Sequence, residues 1–295
     1  MNGLLIVNKP EGFTSFDCVA LLRRLTGERH IGHTGTLDPN ATGVLPICLG
    51  SACRLIEFMD FPPKSYRVRA RFGYRSDTLD VWGTVQPGDL TAFPDRESLL
   101  SAAKGFVGEI EQIPPMYAAV KVNGKRLYQY AREGKTVELQ PRRVTVYAFD
   151  LISYDPGEGV FVADISCSRG TYIRSITRDL GETFGCGCIM TGLVRTSAAG
   201  YGLEDCVGME ELRTKSPEEI ESLLLPFETA VSGLPQLPLE PGAAALFLNG
   251  NPSFSRGIEP AFVPDGDLAC FSDGTLLGIA RKENGIIKAY KVFHS

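Results

Sequence analysis

Histidine and tryptophan are scarce in this chain, with three of the first and one of the second in 295 residues. The histidines (His30, His33 and His294) form no cluster, and no two cysteines stand at C-x-x-C spacing. Cys186-Gly187-Cys188 has no partner pair at zinc-finger distance, so no metal-ligand set is present and no metal is expected. Neither G-x-x-x-x-G-K-[ST] nor G-x-G-x-x-G stands between strand and helix, which excludes the common phosphate-binding loops. The G-x-S-x-G elbow of serine hydrolases is also missing. No apolar run reaches the roughly 18 residues that a membrane span needs. The short run Gly3 to Val7 has no basic residues before it, unlike a secretion signal. The chain is therefore expected in the cytosol, away from membranes, with its eight scattered cysteines reduced and mostly buried.

What is present describes an ordinary packed protein, 43% hydrophobic and 22% charged, long enough for one large domain or two unequal ones. The net charge of −5 argues against a non-specific nucleic-acid binder. Charge is unevenly spread, however. Between Met116 and Val146 stand Lys121, Lys125, Arg126, Arg132, Lys135, Arg142 and Arg143, against only Glu133 and Glu138. Such a local basic surface survives a negative total because screening acts over about 8–10 Å.

The pattern along the chain predicts an α+β fold built on a mixed, largely antiparallel sheet. Gly3 to Val7 and Val44 to Leu49 read as buried strands, and Thr14 or Ser15 caps a helix closed by Gly27. That helix is expected to bury Phe16, Val19, Ala20 and Leu22. From Lys64 to Tyr74, apolar Tyr66, Val68, Ala70 and Phe72 alternate with Arg67, Arg69 and Arg71, a half-exposed strand. A helix is expected over 95–106, a long hairpin over 143–167, a helix capped by Thr171, and a strand over 189–196. Separated strand and helix runs favour α+β over a doubly wound sheet. Ser232 to Pro238 reads as a linker, so residues 1–232 form one domain, with an insert at about 105–146. Residues 233–295 form a small barrel-like module with three short strands.

The densest candidate site is Gly32-His33-Thr34-Gly35-Thr36-Leu37-Asp38-Pro39-Asn40-Ala41-Thr42-Gly43, a loop of small residues holding one histidine and one carboxylate. Small residues let a backbone approach a ligand closely. Asp38 has two readings: a turn residue bonded to its own backbone ahead of Pro39, or a lone carboxylate acting as nucleophile or base without a cofactor. The second use needs an orienting cation. Arg174, in Gly170-Thr171-Tyr172-Ile173-Arg174, would lie near a helix start, and arginine holds a carboxylate in a fixed fork.

Beyond these residues the chain resembles the TruB family of bacterial tRNA pseudouridine-55 synthases. The resemblance rests on Asn8-Lys9-Pro10-Glu11-Gly12-Phe13-Thr14-Ser15, the Gly32-to-Pro46 loop, Lys64-Ser65-Tyr66 and Asp77-Thr78-Leu79-Asp80-Val81-Trp82-Gly83. It continues through Gln112 to Lys121, Gly124-Lys125-Arg126-Leu127-Tyr128, Gly170 to Arg174, and Leu193-Val194-Arg195-Thr196. It implies an RNA-modifying isomerase that converts uridine 55 in the T loop of tRNA to pseudouridine, with no cofactor. Asp38 stands at the family's catalytic aspartate, Arg174 at the arginine paired with it, and Tyr66 at the tyrosine that stacks on the target base. His33, Tyr172 and Leu193 match residues lining the nucleotide site. Lys9, Lys64, Lys121, Lys125, Arg126, Arg132 and Arg142 are the expected RNA-binding cations.

The tail resembles the family's small PUA-like module. Five basic residues against six acidic ones argue against a part for it in tRNA binding. Asn40, Ala118 and Arg169 depart from the family pattern without touching Asp38 or Arg174. The tRNA T arm is the implied partner, with the protein acting as a monomer. Two other functions compete: the same chemistry on another RNA, and a tRNA-binding and folding protein with secondary catalysis.

Overall fold

The structure is a computed structural model describing residues 1–59, 63–88, 93–118, 121–122, 124–127, 130, 133, 137 and 139–293. Strands β1 (Gly3–Lys9), β2 (Ile31–His33), β3 (Thr42–Leu49) and β4 (Lys64–Phe72) come first, with helix α1 (Ser15–Thr26) after β1. A 3-10 helix, Gly50–Phe58, follows β3. The hairpin β5 (Tyr74–Ser76) and β6 (Val85–Pro87) leads to α2 (Arg96–Gly105) and β7 (Gly108–Gln112). The short pair β8 (Lys121–Val122) and β9 (Lys125–Arg126) precedes the long hairpin β10 (Arg142–Asp155) and β11 (Val160–Cys167). Then come α3 (Ile173–Thr183), β12 (Cys188–Ala198), β13 (Tyr201–Gly202) and β14 (Val207–Gly208). The tail adds β15 (Gln236–Pro238), helix Pro241–Leu248, β16 (Gly266–Ser272), β17 (Thr275–Glu283) and β18 (Ile286–Val292).

The main sheet runs β14-β1-β3-β12-β4-β11-β10-β7, with β2 beside β3 and β13 beside β12. Only the β1–β14 and β3–β12 pairs are parallel, so the sheet is mixed and largely antiparallel, the expected class. β1 and β3 are buried on both faces, which is why both read as unbroken apolar runs. Leu5, Val7, Leu45 and Ile47 pack with Cys18, Val19, Leu21 and Leu22 of α1. Leu4, Ile6, Val44 and Cys48 pack the other way, with Ala52, Leu55 and Phe58 of the 3-10 helix and with Ala269, Leu276, Ile279 and Phe293 of the tail. The tail therefore shares a core with the main sheet. It also has a core of its own around Phe247, Phe254, Leu268 and Ala280. Its sheet has four strands in the order β15-β16-β17-β18, one more than the sequence pattern indicates.

β4 buries Tyr66, Val68, Ala70 and Phe72 under α2 and α3. Its arginines answer acids across the sheet surface. Arg67 makes a bidentate pair with Asp164 (2.8 and 2.7 Å), and Arg71 reaches Glu158 at 3.1 Å.

Two local expectations need correction. Phe16 and Ala20 lie on the outer face of α1, Phe16 at 60% exposure with the Arg23 guanidinium over its ring. The buried stripe instead uses Cys18 and Leu21 with Val19 and Leu22, which pack on β1 and β3. Thr171 does not cap α3. The N-cap is Tyr172, whose side chain makes no capping bond.

Candidate active site

A cavity of about 390 Å³ opens where the loop after β2 meets the start of β4, the start of α3 and β12. His33 to Asp38, Ile56, Lys64, Tyr66, Ala118, Ser168 to Arg174, Leu193 and Arg195 line it. It thus gathers Asp38, Arg174, Tyr66, His33, Tyr172 and Leu193, which the sequence spreads over 160 positions.

The loop carrying Asp38 is tied down from beneath. Ser15 Oγ accepts from the Leu37 amide at 2.8 Å, and the Gly12 amide donates to Pro39 O at 2.9 Å. Lys9 completes the anchor. Its ammonium donates to Pro10 O and Pro39 O, both at 2.9 Å, and to Phe13 O. Lys9 is fully buried, so it does not meet RNA as expected. Three carbonyls take its three donors, and burial lowers its pKa to about 8. Behind the loop, Gly43 has a φ of +104°, and a Cβ there would stand 2.2 Å from Arg195 O. Only glycine lets β12 approach so closely.

Asp38 and Arg174 are paired. Arg174 Nη2 donates to Asp38 Oδ1 at 3.0 Å and lies 2.9 Å from Oδ2. The same guanidinium donates to Thr78 O and Tyr117 O, each at 3.0 Å, and stands 3.9 Å from Asp80 Oδ2. The arginine is 5% exposed, whereas 39% of the Asp38 side chain opens to the cavity. The two carbonyls hold the buried fork in one orientation, and Nη2, which donates to Tyr117 O, also donates to Asp38. Even so, burial pushes the Asp38 carboxyl above the ordinary carboxylate range. Arg174 opposes that shift and Asp80 adds to it.

Tyr66 keeps its proton, since burial raises its pKa. Across the sheet its partner in register is Arg195, which is 1% exposed and donates to Val44 O (2.7 Å) and Gly35 O (3.3 Å). Burial and Arg195 both lower the His33 pKa, so its ring is neutral at pH 7. Tyr172 is fixed through its backbone. Gln112 Oε1 accepts from the Tyr172 amide at 2.7 Å, and Gln112 Nε2 donates to Tyr172 O at 3.1 Å.

The expected RNA-binding cations divide. Lys64 is buried at the cavity wall rather than spread on an outer surface. Arg142 is exposed at the start of β10. Lys121, Lys125 and Arg126 have their backbones in β8 and β9, their side chains lying outside the described residues, as does Arg132 altogether. Asp80 and Arg195 went unrecognised as site residues, although both stand inside motifs that were visible. Their neighbours in the fold, not their sequence spacing, give them that place.

A family model for the N-terminal domain of TruB family pseudouridylate synthases matches residues 23–173, and one for the tRNA pseudouridylate synthase B C-terminal domain matches residues 174–232. The chain belongs to the TruB family. Among curated TruB relatives, tRNA pseudouridine synthase B of Streptococcus pneumoniae is 41% identical over 297 residues, covering 99% of this chain and 100% of that one. The protein of the same name from Lactobacillus johnsonii is 43% identical over 256 residues, covering 85% and 86%. A chain solved in the crystal structure of a Cbf5-Nop10-Gar1 complex superposes with a TM-score of 0.72 at 23% identity, covering 99% of this chain and 85% of that one, a likeness of fold. The seam between the two TruB models falls between Ile173 and Arg174, so the Asp38–Arg174 pair joins the two matched regions.

Proposed function

We propose that this protein isomerises uridine to pseudouridine in tRNA, at position 55 of the T loop, with Asp38 as the catalytic carboxylate. The observation that carries the assignment is the Asp38–Arg174 pair at the edge of a cavity of about 390 Å³, within the range of small-ligand sites. In the reaction the N1–C1′ bond of the nucleotide breaks, a C5–C1′ bond forms, and one proton moves from C5 to N1. No electron or group leaves the molecule, so no cofactor is called for. Asp38 attacks the flipped-out nucleoside, and Arg174 holds the carboxylate in one orientation. Tyr66, neutral and buried, offers its ring to the extruded uracil. Stacking of this kind offsets the few kcal/mol that flipping costs. His33, Tyr172 and Leu193 line the nucleotide, with Lys64 beside them.

RNA outside the cavity falls to the basic insert, with Lys121, Lys125, Arg126, Arg132 and Arg142 meeting phosphates of the T arm. On this reading residues 1–232 form the catalytic domain, 105–146 its RNA-binding insert, and 233–295 an accessory module. The protein acts as a cytoplasmic monomer. Among the described residues no helix is long and apolar enough to cross a membrane.

The test is pseudouridine mapping at nucleotide resolution in an unmodified tRNA transcript, with wild type and Asp38→Asn. Product at the T-loop uridine with wild type alone supports the assignment. Product at another position, or in another RNA only, overturns the substrate. Tight tRNA binding without product from wild type favours a folding protein.

A further inference from the structure

The single tryptophan of the chain, Trp82, is 40% exposed, and Val81 and Val85 beside it are 37% and 39% exposed. One exposed apolar side chain needs no explanation, but three together on a rigid turn do. This turn is rigid. The Leu79 amide donates to Ser76 O at 3.2 Å, and the Thr84 amide to Asp77 Oδ1 at 2.7 Å. The Trp82 amide itself donates to Asp80 Oδ1 at 3.1 Å. Leu79 and Val81 bracket Met190 of β12: the Val81 amide donates to Met190 O and the Met190 amide to Leu79 O, both at 3.1 Å. A Cβ on Gly83 would stand 2.2 Å from Asp77 Oδ1 and 2.3 Å from Thr78 Oγ1, so a larger residue would push aside the side chains that bond across the turn. Leu79 is held at a φ of +66°, a conformation that costs a leucine energy and persists only where the surroundings impose it.

The same turn is fastened to the catalytic pair. Arg174 donates to Thr78 O and to Asp38, and Asp80, which receives the Trp82 amide, faces Arg174 at 3.9 Å. Arg174 also donates to Tyr117 O, and the next residue, Ala118, lines the cavity. Just beyond, the chain enters the basic segment. The turn bearing Trp82 and the root of that segment are therefore held by one guanidinium, and Trp82 itself is not part of the cavity lining.

We propose that Trp82 is a stacking platform for a base next to the flipped nucleotide, held in fixed relation to Asp38 through Asp80 and Arg174. This rests on the RNA substrate proposed above. A flipped nucleotide leaves its neighbours unstacked. A tryptophan face on a turn that needs no further ordering replaces part of the lost stacking. Because stacking accepts any base, Trp82 contributes affinity and placement rather than base identity.

One experiment separates this from the parent reading. Trp82 is the only tryptophan, so its emission reports on this site alone. Wild type is titrated with a T-arm stem-loop, pseudouridine being mapped in the same samples, and again with stem-loops carrying an abasic site on either side of the target. The expected result is saturable quenching with protection from acrylamide, lost with one abasic neighbour. Trp82→Ala should raise KM by roughly 5- to 150-fold, with the single-turnover rate at saturation falling far less, and Trp82→Phe should restore most of the affinity. Pseudouridine formation with unmoved Trp82 emission, or an unchanged KM in a folded Trp82→Ala, overturns the platform and leaves the parent reading standing. Absence of both product and binding overturns the two together.

Discussion

Gln112 and Tyr172, sixty residues apart, exchange two hydrogen bonds through one side-chain amide, at 2.7 and 3.1 Å. Tyr172 is the N-cap of α3 and Arg174 is the second residue of that helix, so the amide sets where the guanidinium begins. Gln112→Ala strips the Tyr172 amide of its partner, at a cost of about 1–3 kcal/mol, while Tyr172 O keeps its bonds from the Ser175 and Ile176 amides. The activity loss should fall on kcat more than on KM, because Arg174 orients Asp38 rather than holding RNA. Gln112→Glu keeps only the accepting half, and should lie between wild type and alanine in both melting temperature and rate.

Arg174→Lys should lower the single-turnover rate far more than it weakens RNA binding, since a compact ammonium cannot reproduce the planar fork that reaches Thr78 O, Tyr117 O and Asp38 from two separate nitrogens. Comparable losses in rate and affinity would make Arg174 a phosphate contact instead.

Desolvation in the cavity wall pushes the half-exposed Asp38 carboxyl above its ordinary 3.8. Over the window from that value up to its raised one, the folded state holds a proton that the unfolded chain has released. This group's contribution to stability is thus greatest below 3.8 and is lost as pH rises through the window. Asp38→Asn should therefore melt no lower than wild type at pH 7, with any advantage shrinking toward pH 4, while abolishing pseudouridine formation. Thermal melts at several pH values check the sign. A variant clearly less stable than wild type at pH 7 would show that the pair with Arg174 outweighs burial.

Lys9→Met takes a donor from the Pro10, Phe13 and Pro39 carbonyls, of which Pro39 O keeps the Gly12 amide. Each carbonyl left unpaired costs about 1–3 kcal/mol. The melting temperature should drop and the rate with it, since Pro39 follows Asp38. RNA affinity measured below the melting point should barely change, and its salt dependence not at all.

Cations of the insert and of the tail should differ in salt dependence. Arg142→Ala should reduce the slope of log K against log salt by about 0.7–0.9, the value of one lost phosphate contact. In the tail, Arg281 pairs with Asp267, Lys282 with Asp265 and Lys291 with Glu57. Lys282→Ala should leave the slope unchanged, and a fall of a full contact would bring the tail onto the RNA.

Much of this was legible in the sequence. Strands buried on both faces or alternating strictly, such as β1, β3 and β4, announce themselves by pattern, as do Asp95 and Gly27 at helix ends. The Asp38 loop was visible from its density of small residues. Other features depend on long-range placement. Nothing local reveals that Lys9 points inward, since a lysine after an apolar run ordinarily meets water. Asp80 and Arg195 gain their roles from Arg174 and Tyr66, more than 90 and 120 positions away. Phe16 misled because a phenylalanine at helical spacing ordinarily faces the core.

The double-sided burial of β1 and β3 makes the tail hard to dispense with. Leu4, Ile6, Val44 and Cys48 have the tail's Ala269, Leu276, Ile279 and Phe293 as part of their cover. Cutting the chain after residue 232 would bare a greasy flank of the very strands from which the Lys9 anchor and the Asp38 loop extend. The 3-10 helix, whose Ile56 faces the cavity, would also lose Lys291 from Arg54 O and Phe293 from the Arg54 guanidinium. Such a truncation would show itself first as clumping and poor yield, whatever the tail does or does not do for RNA.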